Sequence, residues 1–383
     1  MGPLEGVKIV EFAGIGPGPH CCMLLADMGA TVVRVDRSAN VGKPGAVPDM
    51  FNNLTRGRPN IALDLKHPEG VETALKLCEA ADIVIEGFRP GVLERLGLGP
   101  DVLLERNPKL VVGRMTGWGQ SGPIAHTAGH DINYISLSGA LSCIGPVDGP
   151  PTPPLNLVGD FGGGSLYLAM GVLAAYISAA RTGKGQVVDA SMVEGSASLM
   201  MGMYGALAAG LWKEDQRGYN RLDGGAHYYG VFETKDGRHI SIGSIEPQFY
   251  ALLKQKTGLK DDDLYPQADR DRWPDNRAKL AEVFKTKTRQ EWVDLMEDSD
   301  VCFGAVLTMS EAMEHPHNIA RGTFVEVDGY KQPAPAPRFV GTPTAVASGA
   351  TAPGQHTRAT LEAWGFPAAE VQRLEAAGAV KQA

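Results

Sequence analysis

Apolar runs alternate with amphipathic stretches through the first third of the chain. VKIVEF, ATVVRVD, ADIVIEGF and LVVGRM read as strands, while the segments through HCCMLLADMG and GVETALKLCEA carry apolar residues at helical spacing. Strands that alternate with helices in this way predict an α/β fold built on a doubly wound parallel sheet. Two apolar helical stretches follow, at 165–181 and about 187–212, separated by RTGKGQ. The first contains the most apolar segment, LYLAMGVLAAYISAA. It is shorter than the roughly 20 residues a bilayer span requires and is expected to be a buried helix. Near residue 225 the pattern changes, and YYGVFETKDGRHISIG alternates about a KDGR turn, which predicts a β-hairpin. Helices are expected near IEPQFYALLKQK and RQEWVDLME, an extended linker at KQPAPAPRF, and two terminal helices at HTRATLEAWG and PAAEVQRLEAAG.

A chain of 383 residues is long enough for two domains. Its composition, 43% hydrophobic and 21% charged, is that of a globular protein rather than a disordered or fibrous one. A formal charge of −8 argues against nucleic-acid binding but leaves room for a local basic pocket. The five cysteines show no CxxC spacing, so neither a disulfide framework nor a structural zinc site is expected, and a reducing, cytoplasmic setting fits. MGPLEG carries neither a signal core nor a myristoylation pattern, and VKQA is no peroxisomal address.

The glycine-rich AGIGPGPH stands between a predicted strand and a predicted helix, where a dinucleotide-binding turn belongs. Gly14, Gly16 and Gly18 give G-x-G-x-G, but the third fingerprint glycine is replaced by Pro19, which has no N–H for a pyrophosphate. Basic residues close the neighbouring strands: Arg37 after VVRVD, Lys66 after IALDL, and Arg89 and Arg95 in EGFRPGVLER. Ligands bind beyond the carboxyl ends of parallel strands, so these cations are expected to converge on a phosphate-bearing ligand. In GHDINYIS, His130 and Asp131 precede a helix. Taken alone, Asp131 reads as a cap and His130 as a loop histidine, yet the amides there also suit developing negative charge. Asp160 is the lone carboxylate in the glycine-rich NLVGDFGGGS. His126, in PIAHTA, reads as a surface residue, and His315 and His317 in HPHN as a turn rather than a metal site.

Taken together, EFAGIGPGPH, VVRVDR, EGFRPGVLERLGLGP, RMTGWGQSGP, GHDINYISLSG, PPLNLVGDFGGGS, GKGQVVDASM, LDGGAHYY, IEPQFY and GQHTRATLEAWGF resemble the α-methylacyl-CoA racemase branch of the family III CoA-transferase superfamily, over almost the whole chain. The resemblance implies an interlocked homodimer with a Rossmann-like large domain over 1–190, a helical linker over 191–225, a small α+β domain over 226–320, and a return linker and terminal helices over 321–383 completing the large domain. It implies an acyl-CoA thioester as substrate, with no separate cofactor and no metal.

Within that superfamily, transferases resemble G-Y-D where this chain has Gly129-His130-Asp131. The resemblance therefore implies interconversion of 2-methylacyl-CoA epimers, with His130 and Asp160 as the two proton carriers flanking an enolate. Glu246 is implied to contact the histidine, from the partner subunit. Arg37, Leu63, Leu65, Lys66, Gly87, Phe88, Arg89 and Arg95 are implied to bind CoA, with Gly129, Asp131 and Tyr134 along the thioester end. Met192, Met200, Met201 and Met203 suit a tolerant acyl surface or plain core packing. Two other readings stand beside this one: a CoA-transferase with Asp160 as nucleophile, and a catalytically silent acyl-CoA-binding protein. A nicotinamide dehydrogenase ranks last, because Pro19 breaks the fingerprint.

Overall fold

The apolar runs become strands whose alternate residues feed opposite faces of one sheet. The computed structural model describes residues 2–45 and 47–383. Strands β1 (Lys8–Phe12), β2 (Thr31–Arg37), β3 (Asn60–Leu63), β4 (Ile83–Glu86), β5 (Val111–Thr116) and β6 (Gln186–Ser191) pair in parallel. Two antiparallel sets follow along the chain: β7 (Tyr229–Glu233), β8 (His239–Gly243) and β9 (Phe303–Ala305), then β10 (Phe324–Val327) and β11 (Tyr330–Pro333). The last strand, β12 (Val380–Lys381), joins the large sheet against β3, giving the order β12-β3-β2-β1-β4-β5-β6.

The large sheet is thus mixed rather than purely parallel, because β12 runs antiparallel to β3. In β1, Val10 and Phe12 pack into one core with the helix Pro68–Glu79 and the terminal helices, whereas Ile9 packs on the other side with Leu25 and Val172. That alternation is the two-residue period of a strand buried on both faces.

The chain divides into two compact units. One comprises residues 1–138, 154–199 and 317–383, and the other 139–153 and 200–316. The first holds the large sheet. The second holds β7, β8 and β9, and its core gathers Phe232, Ile240, Phe284 and Trp292. The expected hairpin is present, with Val231 opposite Ser241.

Three local expectations need correction. The stretch from 187 is not helical throughout: β6 occupies Gln186–Ser191, and helices then run over Met192–Leu199 and Met201–Ala208. QVVDAS pairs along its whole length with β5, and those ladder bonds outweigh its helix-like apolar spacing. The expected linker at KQPAPAPRF begins as strand, with Gln332 opposite Val325.

Finally, the apolar helix is buried on one face only. Leu168, Val172, Ala175 and Ala179 face the sheet, while Leu166, Met170 and Ile177 are exposed. Its full helical run, Leu157–Thr182, is long and apolar enough to cross a membrane by length and composition, but the buried face packs on β5 and β6 as a core helix does.

Candidate active site

The order β2-β1-β4 places β1 at the point where the sheet's winding reverses, and a crevice opens there beyond the carboxyl ends of the strands. A cleft of about 330 Å³ occupies this position, walled by the ends of β1, β4 and β5 and by the glycine turn after β1. His130, Asp160, Gly129 and Tyr134 all line it, as do Gly87, Phe88 and Arg89.

His130 is the N-cap of the helix Asp131–Leu137, in extended backbone. Its own N–H donates to Asn133 Oδ1 at 3.0 Å, and its side chain is exposed to the cleft. Asp131 is 7% exposed and points inward, and its Oδ2 accepts the backbone N–H of Asp160 at 2.7 Å. Asp131 is thus not a wall of the cleft; it ties the loop of His130 to the segment of Asp160. Tyr134, one turn further on, donates its hydroxyl proton to the Gly129 carbonyl and stands edge-on to Trp118 at 4.8 Å.

Asp160 lies in a π-helical segment, Leu157–Ser165, that precedes the apolar helix. Such wide turns have poor intrinsic stability and mark functional positions. Here a close backbone approach sustains the turn: a Cβ on Gly163 would stand 2.6 Å from the Ser196 nitrogen, and one on Gly195 would overlap the Gly163 carbonyl. Gly16 gives the carboxylate its room. At φ +68° a side chain there would be strained, and its Cβ would lie 3.0 Å from Asp160 Oδ2. The glycine turn therefore receives a carboxylate where a dinucleotide enzyme receives a pyrophosphate.

Asn156 Nδ2 donates to the same Oδ2 at 3.1 Å. Burial raises the Asp160 pKa and the Asp131 charge adds to it, against the lowering by Asn156 and His130. A carboxyl and an imidazole lining one cleft are the two kinds of group that carry protons in general acid–base chemistry.

The proposed CoA-binding residues lie along the carboxyl edge of the sheet but not all in the cleft. Gly87, Phe88 and Arg89 follow β4, where buried Glu86 accepts the Phe88 N–H at 2.7 Å and the Arg114 Nε–H at 2.7 Å, fixing the turn. Arg37 stands in register with Leu63 at the ends of β2 and β3, with Leu65 and Lys66 just beyond; Arg95 ends the short helix after β4. Leu63 is fully buried in the core and offers no surface. Among the described residues no ion pair engages Arg37, Lys66, Arg89 or Arg95, whereas Arg34, Arg56, Arg58 and Arg114 are all paired. Four unpaired cations along one edge suit a polyanionic ligand.

Glu246 lies in the second unit, at the N-cap of the helix Pro247–Thr257. Met192 lines the cleft, whereas Met200, Met201 and Met203 belong to the second unit. His315 meets Glu297 at 3.1 Å, and among the described residues no cluster is suited to a metal ion. Sequence reading missed Asn156 and Glu86. Their only signal was position: one four residues before Asp160, the other ending a strand.

The chain is similar to known proteins along most of its length. Residues 4–357 match the model of CoA-transferase family III. The chain is 46% identical to the mouse α-methylacyl-CoA racemase over 97% of its length and 96% of the mouse protein, and 45% identical to the human one over the same shares. A CAIB/BAIF family protein from Brucella suis superposes with a TM-score of 0.82 at 25% identity, over 95% of this chain and 99% of that one. An open carboxyl-edge cleft, a histidine and a carboxylate facing it, and this similarity along nearly the whole chain place the protein in CoA-transferase family III.

Proposed function

We infer that this chain is a 2-methylacyl-CoA racemase, interconverting the (2R) and (2S) thioesters by removing the α proton on one face and returning one on the other. The observation that carries this reading is the presence of His130 and Asp160 in one cleft, with the Asp160 carboxyl held above its usual pKa. Inversion beside a thioester needs one carrier to start as base and the other as acid. In one direction His130 takes the proton and Asp160 donates; in the other the roles exchange. The enolate formed between them lies near the amino end of the helix Asp131–Leu137, whose first N–H groups favour negative charge. The unpaired cations at the sheet edge hold the phosphates of CoA, with Arg37 on the ribose phosphate.

The transferase reading needs a second acid substrate and Asp160 as nucleophile, and it gives His130 no part. A silent acyl-CoA binder would need neither carrier.

Two copies of the chain complete the enzyme, interlocked as the family resemblance implies. The exposed Leu166, Met170 and Ile177, spaced along one helix face, provide an apolar surface for a partner. In this arrangement Glu246 comes from the partner subunit and sets the tautomer of His130.

Incubating one pure 2-methylacyl-CoA epimer in deuterated water, with no acceptor acid, tests the reading. Both epimers should appear with deuterium at the α carbon and CoA on its original acyl group. Acyl exchange that depends on an added acid, or inversion without deuterium, overturns it.

A further inference from the structure

Glu246 combines a fixed backbone with a free side chain. It is exposed, and among the described residues no hydrogen bond or ion pair engages its carboxylate. The chain beneath it is held from three directions. Ser244, fully buried, donates its hydroxyl to the Val301 carbonyl at 2.5 Å. Gln267 donates Nε2–H to the carbonyls of both Ser244 and Ile245, at 3.2 and 2.9 Å, and is itself anchored by Trp273 Nε1–H on its carbonyl at 2.7 Å. One turn into the helix that Glu246 caps, the Tyr250 N–H returns to the Glu246 carbonyl at 3.0 Å, and its hydroxyl meets His227 Nε2 at 2.8 Å.

His227 has no exposed surface, and Tyr250 is 6% exposed. Asn276 Nδ2, which can only donate, lies 3.4 Å from the same His227 nitrogen, so Nε2 is the acceptor and the tyrosine hydroxyl the donor. Burial, with Arg277 adding, pushes the His227 pKa down to about 4, and burial pushes that of Tyr250 up to about 12, so both stay neutral and the bond persists across the working pH range. A phenylalanine in place of either would fill such a core without polar atoms to satisfy. A buried polar pair of this kind specifies direction, not merely packing.

We propose that the His227–Tyr250 pair, together with the Gln267 clamp, is the positioning device for Glu246, fixing the angle at which its carboxylate leaves the surface and hence its grip on the catalytic imidazole. The inference rests on the reading above, in which Glu246 meets His130. Tyr250 and Gln267 touch neither substrate nor reacting atoms and act only through Glu246. A carboxylate aimed at the imidazole stabilises its protonated form, so a misaligned Glu246 weakens that stabilisation.

A double-mutant cycle tests this, with kcat, KM and the pH profile of racemisation measured for Tyr250→Phe, Glu246→Gln and the pair. Tyr250→Phe should lower kcat about 10-fold, well inside the roughly 100-fold that a 1 Å misplacement can cost, with KM little changed. For the epimer whose proton His130 removes, it should also move the acidic limb of kcat/KM to lower pH. In the Glu246→Gln background Tyr250→Phe should add neither effect, because the group it positions is already neutral. Gln267→Leu, at a separate anchor, should reproduce the signature and replaces Tyr250→Phe should that variant not fold. Losses that remain fully additive with Glu246→Gln, or an unmoved acidic limb, overturn the positioning role while leaving Glu246 in place. If Glu246→Gln itself changes neither rate nor limb, Glu246 is not the partner of the imidazole and the positioning role falls with it.

Discussion

The Asp131 carboxylate accepts the backbone N–H of Asp160 at 2.7 Å, while Asp131 itself follows His130 in the chain. One buried side chain thereby couples the positions of both proposed proton carriers, and its charge contributes to the raised Asp160 pKa. Asp131→Asn keeps an oxygen to accept that N–H but removes the charge. The pH limbs of kcat/KM that belong to Asp160 should move to lower pH, with the fold intact. Asp131→Ala instead leaves the amide unsatisfied and should destabilise the protein by about 1–3 kcal/mol in denaturant unfolding. Limbs that stay in place in Asp131→Asn would separate the two carboxylates electrostatically.

Asp160 should also weigh on stability. Its folded pKa is raised above the ordinary 3.8, mainly by burial, so the fold favours the protonated form. The stabilisation is complete below the unfolded pKa and is lost as pH rises through the folded one. Asp160→Asn, which never ionises, should therefore raise the thermal midpoint near neutral pH while abolishing racemisation, and its advantage over the parent should shrink on acidification. A midpoint difference that grows towards acid pH would reverse the assigned sign.

Gly16 is bound to its identity by two constraints, a positive φ and the carboxylate facing it. Gly16→Ala should destabilise by about 1–3 kcal/mol, the cost of a strained backbone position. It should also lower kcat more than it raises KM for the thioester, since the added carbon displaces Asp160. Calorimetry and steady-state kinetics on the same preparation check both halves.

Arg37 ends β2 and, among the described residues, has no ion pair; it is proposed to hold the ribose phosphate. Arg37→Ala should weaken CoA esters by about 1.5–3 kcal/mol, the worth of a hydrogen bond to a charged group, and should barely affect esters that lack the ribose phosphate. Equal loss with both ligands, read by calorimetric titration, would move Arg37 out of that site.

The parts of the fold that could be read from the sequence were those set by local periodicity. VKIVEF and ADIVIEGF announce β1 and β4 because continuous apolar runs of that length suit strands buried on both faces, and the KDGR turn announces the pairing of β7 with β8. What escaped depends on contacts distant in sequence. The π-helical turn around Asp160 requires Gly163 against Gly195, and nothing near NLVGDFGGGS specifies that neighbour. β12 is two residues long and exists only because β3 offers it an edge. In the site, His130 and Asp160 could be named from their motifs, but Asp131 reads as a helix cap until its bond to the Asp160 amide is seen, and Asn156 has no motif at all.

The central claim is that His130 and Asp160 serve opposite faces of one α carbon, and α-proton exchange measured separately from inversion tests it most directly. With each pure epimer in deuterated water, His130→Ala should nearly abolish inversion of both, yet retain exchange for the epimer whose proton faces Asp160. Asp160→Asn should retain exchange only for the other epimer, through His130. Proton NMR at the α position follows exchange, and resolution of the epimers follows inversion. Complementary survival of exchange in the two variants is the result this account predicts. Loss of the same epimer's exchange in both variants, with the other spared, would place the two residues on one face and contradict it.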